Sequence, residues 1–217
     1  MGRTDLISEM HRHRLVAVVR SKSAEEALET ARAAADGGIK FIEITFSVPG
    51  AVGVIAELAR RSDICVGGGT VLSPDAAQQA IAAGAQFIVS PTLELNLVPI
   101  CRGADVACIS GAATPSEIVS AMRAGADLVK IFPADCVGGP HFIRQILGPF
   151  PDVRLMVSGG VDESNMKEYA ALGVTGICLG SAALHACLLE KGRDGLAKYA
   201  RKFVTLVDEA SRAQNAK

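Results

Sequence analysis

The sequence predicts a (β/α)₈ barrel, the TIM-barrel form of the α/β class, in which eight parallel strands close into a sheet inside a ring of helices. Two observations support this prediction. Short apolar segments recur about every 20–25 residues with helical patterns between them, which favours a parallel sheet. Eight such segments lie within 217 residues, and that number fits a barrel at the small end of its usual size range.

Each predicted strand is a short apolar run bounded by turn residues or by a helical pattern. Four of them follow a glycine that ends an alanine-rich helical stretch, as a glycine just beyond a helix does. These repeat glycines are Gly38, Gly84, Gly125 and Gly173. The predicted strands are, in chain order, Leu15–Arg20, Phe41–Phe46, Ile64–Thr70, Phe87–Pro91, Val106–Ser110, Leu128–Pro133, Leu155–Gly160 and Gly176–Ser181.

The starts of several helices can also be read from the sequence. The segments Ser23–Glu26 and Thr114–Glu117 have the pattern of capping boxes, and Pro74 and Pro115 stand at first-turn positions. We further expect a short helix before the first strand and C-terminal helices that close the barrel. Since no linker or shift in composition divides the chain, we expect one domain over residues 1–217.

An open, doubly wound sheet is the structural rival of the barrel. It needs fewer strands and usually carries a glycine-rich dinucleotide fingerprint after its first strand. Here Arg20 is followed by Ser-Lys-Ser-Ala, which lacks that fingerprint.

Composition excludes several classes of protein. Apolar residues make up 49% of the chain, which is too many for a disordered protein. The net charge of −1 gives no sign of a nucleic-acid or membrane-surface partner. Mean hydropathy is high at +0.31, yet no apolar run is long enough to span a membrane, and the polar N-terminus lacks a secretory signal.

The cysteines and histidines do not indicate a metal or a cofactor. The six cysteines are scattered without C-x-x-C spacing, which is typical of reduced thiols in a cytoplasmic protein. His11 and His13 form an H-x-H pattern with no further ligands nearby, so we expect no metal site.

Two charged residues interrupt strands that are otherwise apolar. Glu43 and Lys130 each lie five residues after a repeat glycine, on the second and sixth strands. Inward side chains of alternate strands share a layer, so both should project into the lumen at one level, together with Val89 and Cys178. A buried ion pair with a structural role is one reading. The other is catalysis, because burial depresses the pKa of a lysine and frees a neutral amine to attack a carbonyl.

Glycines at the ends of the last two strands predict an anion site. Strand 7 ends in Ser158-Gly159-Gly160 and strand 8 in Gly180-Ser181. In this fold the loops after strands 7 and 8 often bind phosphate with a helix N-terminus. The alternative is that these glycines only form tight turns.

Two further residues at strand ends are candidates for binding oxyanions. Thr70 ends the third strand after three glycines, and its hydroxyl could contact an oxyanion. Arg20 ends the first strand, where it could bind a substrate carboxylate or phosphate or be an ordinary surface arginine.

Motifs spread over nearly the whole chain resemble a known family, the class I aldolases that cleave 2-keto-3-deoxy-6-phosphogluconate (KDPG) or 4-hydroxy-2-oxoglutarate (KHG). The segments that carry the resemblance are Ile42-Glu-Ile-Thr45, Gly67-Gly-Gly-Thr-Val-Leu72, Ser90-Pro91, Lys130-Ile-Phe-Pro133, Gly148-Pro-Phe-Pro151 and Ser158-Gly-Gly160.

The resemblance implies a role for each candidate residue. Lys130 would form the Schiff base, and Glu43 would shuttle protons through a water. Thr70 would help to hold the pyruvate carboxylate, with Pro91 and Phe132 as the apolar wall. The phosphate-binding positions would be Gly159, Gly160 and Ser181, with Gly180 beside them. The resemblance also implies a homotrimer that needs neither metal nor cofactor and acts on a small phosphorylated keto acid.

The sequence departs from the family pattern at several positions. Some members carry an arginine shortly after the E-x-T segment, where this chain has Ser47, and its absence shifts substrate-carboxylate binding to Arg20. A Pro-Gly pair before the loop after strand 5 is replaced by Ser110-Gly111. Both changes leave the distal part of the substrate and its stereochemistry open, so a galactonate-specific aldolase is an alternative. A phosphate-binding isomerase or epimerase, or a metabolite-binding barrel, are the others.

Overall fold

The structure is a computed structural model that describes residues 1–215. Its eight strands pair in parallel and in chain order, and the last strand closes on the first, with Leu15 opposite Ile177. The predicted (β/α)₈ barrel is therefore confirmed. The strands are β1 Leu15–Val19, β2 Phe41–Thr45, β3 Cys65–Gly69, β4 Phe87–Val89, β5 Ala107–Ala112, β6 Leu128–Ile131, β7 Leu155–Val157 and β8 Gly176–Leu179.

Helices alternate with the strands, and an additional helix precedes the first strand. They are α1 Arg3–His13, α2 Ala24–Asp36, α3 Ala51–Leu58, α4 Pro74–Ala82, α5 Leu97–Gly103, α6 Pro115–Ala124, α7 Gly139–Leu147, α8 Met166–Ala171 and α9 Ser181–Asn215. The last of these is interrupted at Gly192, whose backbone is not helical (φ 64°, ψ −172°). Within the described residues, no helix combines the length and apolar character that a membrane span requires.

Local sequence signals account for these boundaries. All four repeat glycines adopt a positive φ, between 76° and 98°, which an L-residue with a side chain rarely adopts. Thr114 and Glu117 form both hydrogen bonds of a capping box, and Ser23 accepts a hydrogen bond from the Glu26 N–H. These local preferences set where each strand begins and so fix which of its residues face inward.

The apolar core has two layers, one on each side of the sheet. Outward side chains such as Ile42 and Ile44 pack between the strands and the helices. Inward side chains such as Phe41 and Phe87 fill the lumen. Leu6 and Met10 of α1 belong to the same lumenal cluster, so this helix closes the N-terminal end of the barrel. The other end, where the strands finish, is left open for a site.

The strands differ from the predictions mainly at their ends. Arg20, Thr70, Pro91 and Gly160 were expected to end strands but lie beyond them, while β5 continues to Ala112. The backbone turns at these points, as the φ of 54° at Thr70 shows, and hydrogen bonding to the neighbouring strands ends.

Candidate active site

A cavity of about 370 Å³ opens at the C-terminal ends of the strands. This is the end at which barrel enzymes carry their active sites. Nine of the ten candidate residues line it, together with Val18 and Ser158. The nine are Arg20, Glu43, Thr70, Pro91, Lys130, Phe132, Gly159, Gly180 and Ser181.

The floor of the cavity holds a buried ion pair. The ammonium Nζ of Lys130 lies 3.2 Å from each carboxylate oxygen of Glu43. Only 5% of Lys130 and 1% of Glu43 is exposed to solvent. The two strands that carry them are not neighbours, so the contact crosses the lumen. The repeat thus places both charges at one level, as the equal spacing from Gly38 and Gly125 predicts.

Glycines of β3 provide the space for this pair. A Cβ at Gly69 would overlap the carboxylate of Glu43, and a Cβ at Gly67 would overlap the ring of Phe87. The run of three glycines therefore allows a carboxylate and an aromatic ring to lie inside a narrow lumen.

A thiol adjoins the pair from β8. Cys178 is fully buried and interacts electrostatically with both Lys130 and Glu43. Burial raises the pKa of this thiol to about 12, so it is uncharged at neutral pH.

The charge state of Lys130 differs from the expectation. Burial alone lowers the pKa of this amine, as predicted, but the adjacent Glu43 carboxylate raises it by more, and the resulting pKa lies above the ordinary lysine value of 10.5. The expectation of a depressed pKa was wrong because it counted burial without the charge of the partner. At neutral pH the resting site holds an ammonium group, so a proton must leave before the amine can attack a carbonyl.

One wall of the cavity is suited to an anion. Gly159 follows β7, and Gly180 and Ser181 lie where β8 passes into α9. The first backbone N–H groups of a helix have no partner inside it and carry partial positive charge. Among residues 1–215, the exposed guanidinium of Arg20 has no carboxylate partner, which leaves its charge available to a ligand.

The remaining wall combines one hydroxyl with apolar surface. The Phe132 ring centroid lies 5.8 Å from Lys130 Nζ, and Pro91 lines the cavity beside it. Thr70 adopts a φ of 54°, which is rare for a β-branched residue, and such backbone strain clusters at functional sites.

Three residues discussed from the sequence lie outside the cavity lining. Gly160, expected at the phosphate site, packs against Asp135 because its positive φ of 63° turns the chain away. The hydroxyl of Ser47 bonds that of Thr45 at 2.9 Å. Ser110 is buried in β5 and belongs to neither the lining nor a hydrogen bond within the described chain.

The sequence reasoning missed two lining residues. Val18 and Ser158 stand two positions from Arg20 and Met156 respectively, on the same side of their strands. Strand alternation was the signal that could have found them. In the part of the chain that the structure describes, no group of three or more His, Cys, Asp or Glu side chains is placed to hold a metal ion.

Comparison with known proteins gives one consistent result. The family model for KDPG and KHG aldolases matches residues 6–197, which is most of the chain. Two curated relatives have similar sequences. A 2-dehydro-3-deoxy-phosphogluconate aldolase of Treponema pallidum is 38% identical over 76% of this chain and 80% of its own length. The KHG/KDPG aldolase of Escherichia coli K12 is 35% identical over 88% of this chain and 90% of its own.

A solved structure agrees with these sequence matches. KDPG aldolase from Legionella pneumophila, crystallised with pyruvate as a covalent carbinolamine intermediate, superposes with a TM-score of 0.83. It is 26% identical, and the match covers 91% of this chain and 97% of that one.

Proposed function

The chain belongs to the KDPG and KHG aldolase family, and from this premise we propose that it is a class I aldolase in which Lys130 forms the Schiff base. It cleaves KDPG to pyruvate and glyceraldehyde 3-phosphate, KHG to pyruvate and glyoxylate, or both. The observation that carries the proposal is the buried contact of 3.2 Å between Lys130 Nζ and Glu43, at the floor of a cavity with an anion-binding wall.

The reaction begins with a proton transfer inside the ion pair. Lys130 is an ammonium at rest, and the nearest base is the Glu43 carboxylate that accepts its hydrogen bonds. When the proton moves to Glu43, the neutral amine attacks C2 of the keto acid and forms a carbinolamine. Protonated Glu43 then returns the proton to the departing hydroxyl, so water leaves and an iminium remains.

The same carboxylate serves the cleavage step. The iminium accepts the electron pair of the C3–C4 bond as Glu43 takes the proton from the C4 hydroxyl, which releases the aldehyde. Glu43 next protonates C3 of the enamine, and addition of water to the new iminium frees pyruvate and the amine. The iminium forms beside a carboxylate that stabilises its positive charge.

The cavity walls orient the substrate for these steps. Thr70 and the neighbouring backbone hold the pyruvate carboxylate, while Pro91 and Phe132 cover its apolar side. The distal phosphate binds at Gly159, Gly180 and Ser181, at the start of α9. Gly160 supports the loop after β7 without contacting the phosphate. These roles fit a keto acid that carries one anionic group at each end.

We further propose that the enzyme is a cytoplasmic homotrimer. The cysteines of the described chain are free thiols, in keeping with a reducing compartment. Leu72 and Leu189 are 52% and 71% exposed, and a subunit interface would cover such side chains. Native mass spectrometry should then give three times the chain mass of 22.5 kDa.

A variant of the lysine tests the proposed function. We expect Lys130→Ala to release no pyruvate from KDPG or KHG in an assay coupled to lactate dehydrogenase, while still binding inorganic phosphate. Lys198→Ala, which removes an exposed lysine of α9, is the matched control and should keep wild-type turnover. Unchanged turnover in Lys130→Ala would contradict the proposal and favour an isomerase or a binding protein. Circular dichroism checks that the variant is folded.

A further inference from the structure

A second cavity of about 370 Å³ lies at the N-terminal end of the barrel, opposite the active site. It forms between α1 and the segments that lead into β7 and β8, and it shares no lining residue with the catalytic cavity. Ile7 lines it and also belongs to the lumenal core, so its floor adjoins the closed end of the barrel. The proposed aldolase reaction makes no use of this space.

Its polar lining is mainly cationic. His11 and Arg154 face the cavity, and within residues 1–215 neither has a carboxylate within 4.0 Å. Burial lowers the pKa of His11, and the positive charges of Arg14 and Arg154 lower it further. The guanidinium of Arg14 donates hydrogen bonds to the carbonyls of His11 and Ala170, so its charge is held close to the cavity.

One buried hydroxyl in the lining has no partner. Thr175 is only 4% exposed, and its backbone N–H is satisfied by the Leu155 carbonyl at 2.7 Å. Its side-chain hydroxyl forms no hydrogen bond within the described residues, although the residue lines the cavity. Buried polar groups of native proteins are nearly always hydrogen-bonded, so a molecule in the cavity is the natural partner of this hydroxyl. The hydroxyl of Ser8, by contrast, already donates to the Thr4 carbonyl.

We propose that this cavity binds a small oxyanion, a phosphate or carboxylate group, through Arg154, His11 and the hydroxyl of Thr175. Planar guanidinium groups form charge-assisted, often bidentate hydrogen bonds with such anions. Asp152 also lines the cavity but extends into a neighbouring cleft between α6 and β7, so its carboxylate is shared between two spaces. Two cations and one hydroxyl therefore face one acidic group.

Phosphate titration followed by two-dimensional NMR separates this site from the catalytic one. Inorganic phosphate is the probe, and the backbone amides of Gly173 and Thr175 report on the N-terminal cavity. The amides of Gly180 and Ser181 report on the active site. We expect both pairs of amides to shift with saturation, each with its own dissociation constant. Absence of a saturable shift at Gly173 and Thr175 would overturn the proposal, whatever happens at the active site.

Variants identify the groups responsible. Arg154→Gln should weaken phosphate binding at the N-terminal cavity by at least about tenfold. Thr175→Val should weaken it less, and neither variant should change binding at Ser181 or pyruvate release. Arg60→Gln removes an exposed arginine elsewhere on the surface and is the matched control. Equal curves for Arg154→Gln and Arg60→Gln would contradict the assignment, because non-specific attraction by net charge would then explain the shifts.

Discussion

The replacement Glu43→Gln tests the ion pair at the centre of the mechanism. It nearly preserves the side-chain shape but removes the negative charge that lies 3.2 Å from Lys130 Nζ. At an effective dielectric constant of about 20, two unit charges at this distance attract each other by about 5 kcal/mol. Without that attraction, burial dominates the environment of Lys130, and its pKa should fall below the ordinary lysine value.

This change should affect turnover and amine reactivity in opposite directions. Loss of the proton shuttle should slow pyruvate release by about 10²–10⁴-fold. The amine itself should be neutral at lower pH and therefore react faster with cyanate, a reagent small enough to enter the cavity. The coupled assay measures the first effect. Peptide mass spectrometry of carbamylated Lys130 at pH 7 measures the second.

The matched control is Glu29→Gln, which removes an exposed carboxylate of α2 and should alter neither measurement. Slower or equal carbamylation of Lys130 in Glu43→Gln would refute the reasoning, because it would mean that the carboxylate does not hold the proton on the amine. Turnover close to wild type would refute the role of Glu43 as the shuttle.

Three further predictions follow from the same contacts. Gly69→Ala places a methyl group where the Glu43 carboxylate lies and should lower kcat by about 10²-fold, whereas Gly53→Ala, in open space on α3, should not. Arg20→Gln should raise KM for KDPG by at least about tenfold and change kcat little; an unchanged KM would show that Arg20 does not bind the substrate. Because the folded pKa of Lys130 is raised, its pairing stabilises the fold below pH 10.5 and is lost as the pH rises through the folded pKa. Urea unfolding should therefore show wild-type stability falling above pH 10.5 more steeply than that of Lys130→Met.

The sequence predicted the fold and the central pair because both depend on local, repeated signals. A glycine with positive φ before each of four strands fixes the register of its strand, so equal spacing from Gly38 and Gly125 brings Glu43 and Lys130 together. The layering of alternate strands in a closed barrel is a property of the fold and needs no further information.

Features that depend on tertiary distances could not be predicted in this way. The direction of the Lys130 pKa follows from a separation of 3.2 Å that spacing along the chain does not specify. Gly160 was placed in the anion site because it adjoins Gly159, but the path of one loop turns it towards Asp135. Val18 was taken for ordinary core, since an apolar strand residue does not reveal that the lumen beside it is open.

Trapping the Schiff base with borohydride tests the central claim most directly. The protein is incubated with pyruvate, reduced, and analysed for intact mass and for the modified peptide. The account predicts a single pyruvate-sized adduct on Lys130. No adduct from folded protein at several pH values, or an adduct on another lysine, would contradict the assignment of Lys130 as the Schiff-base residue.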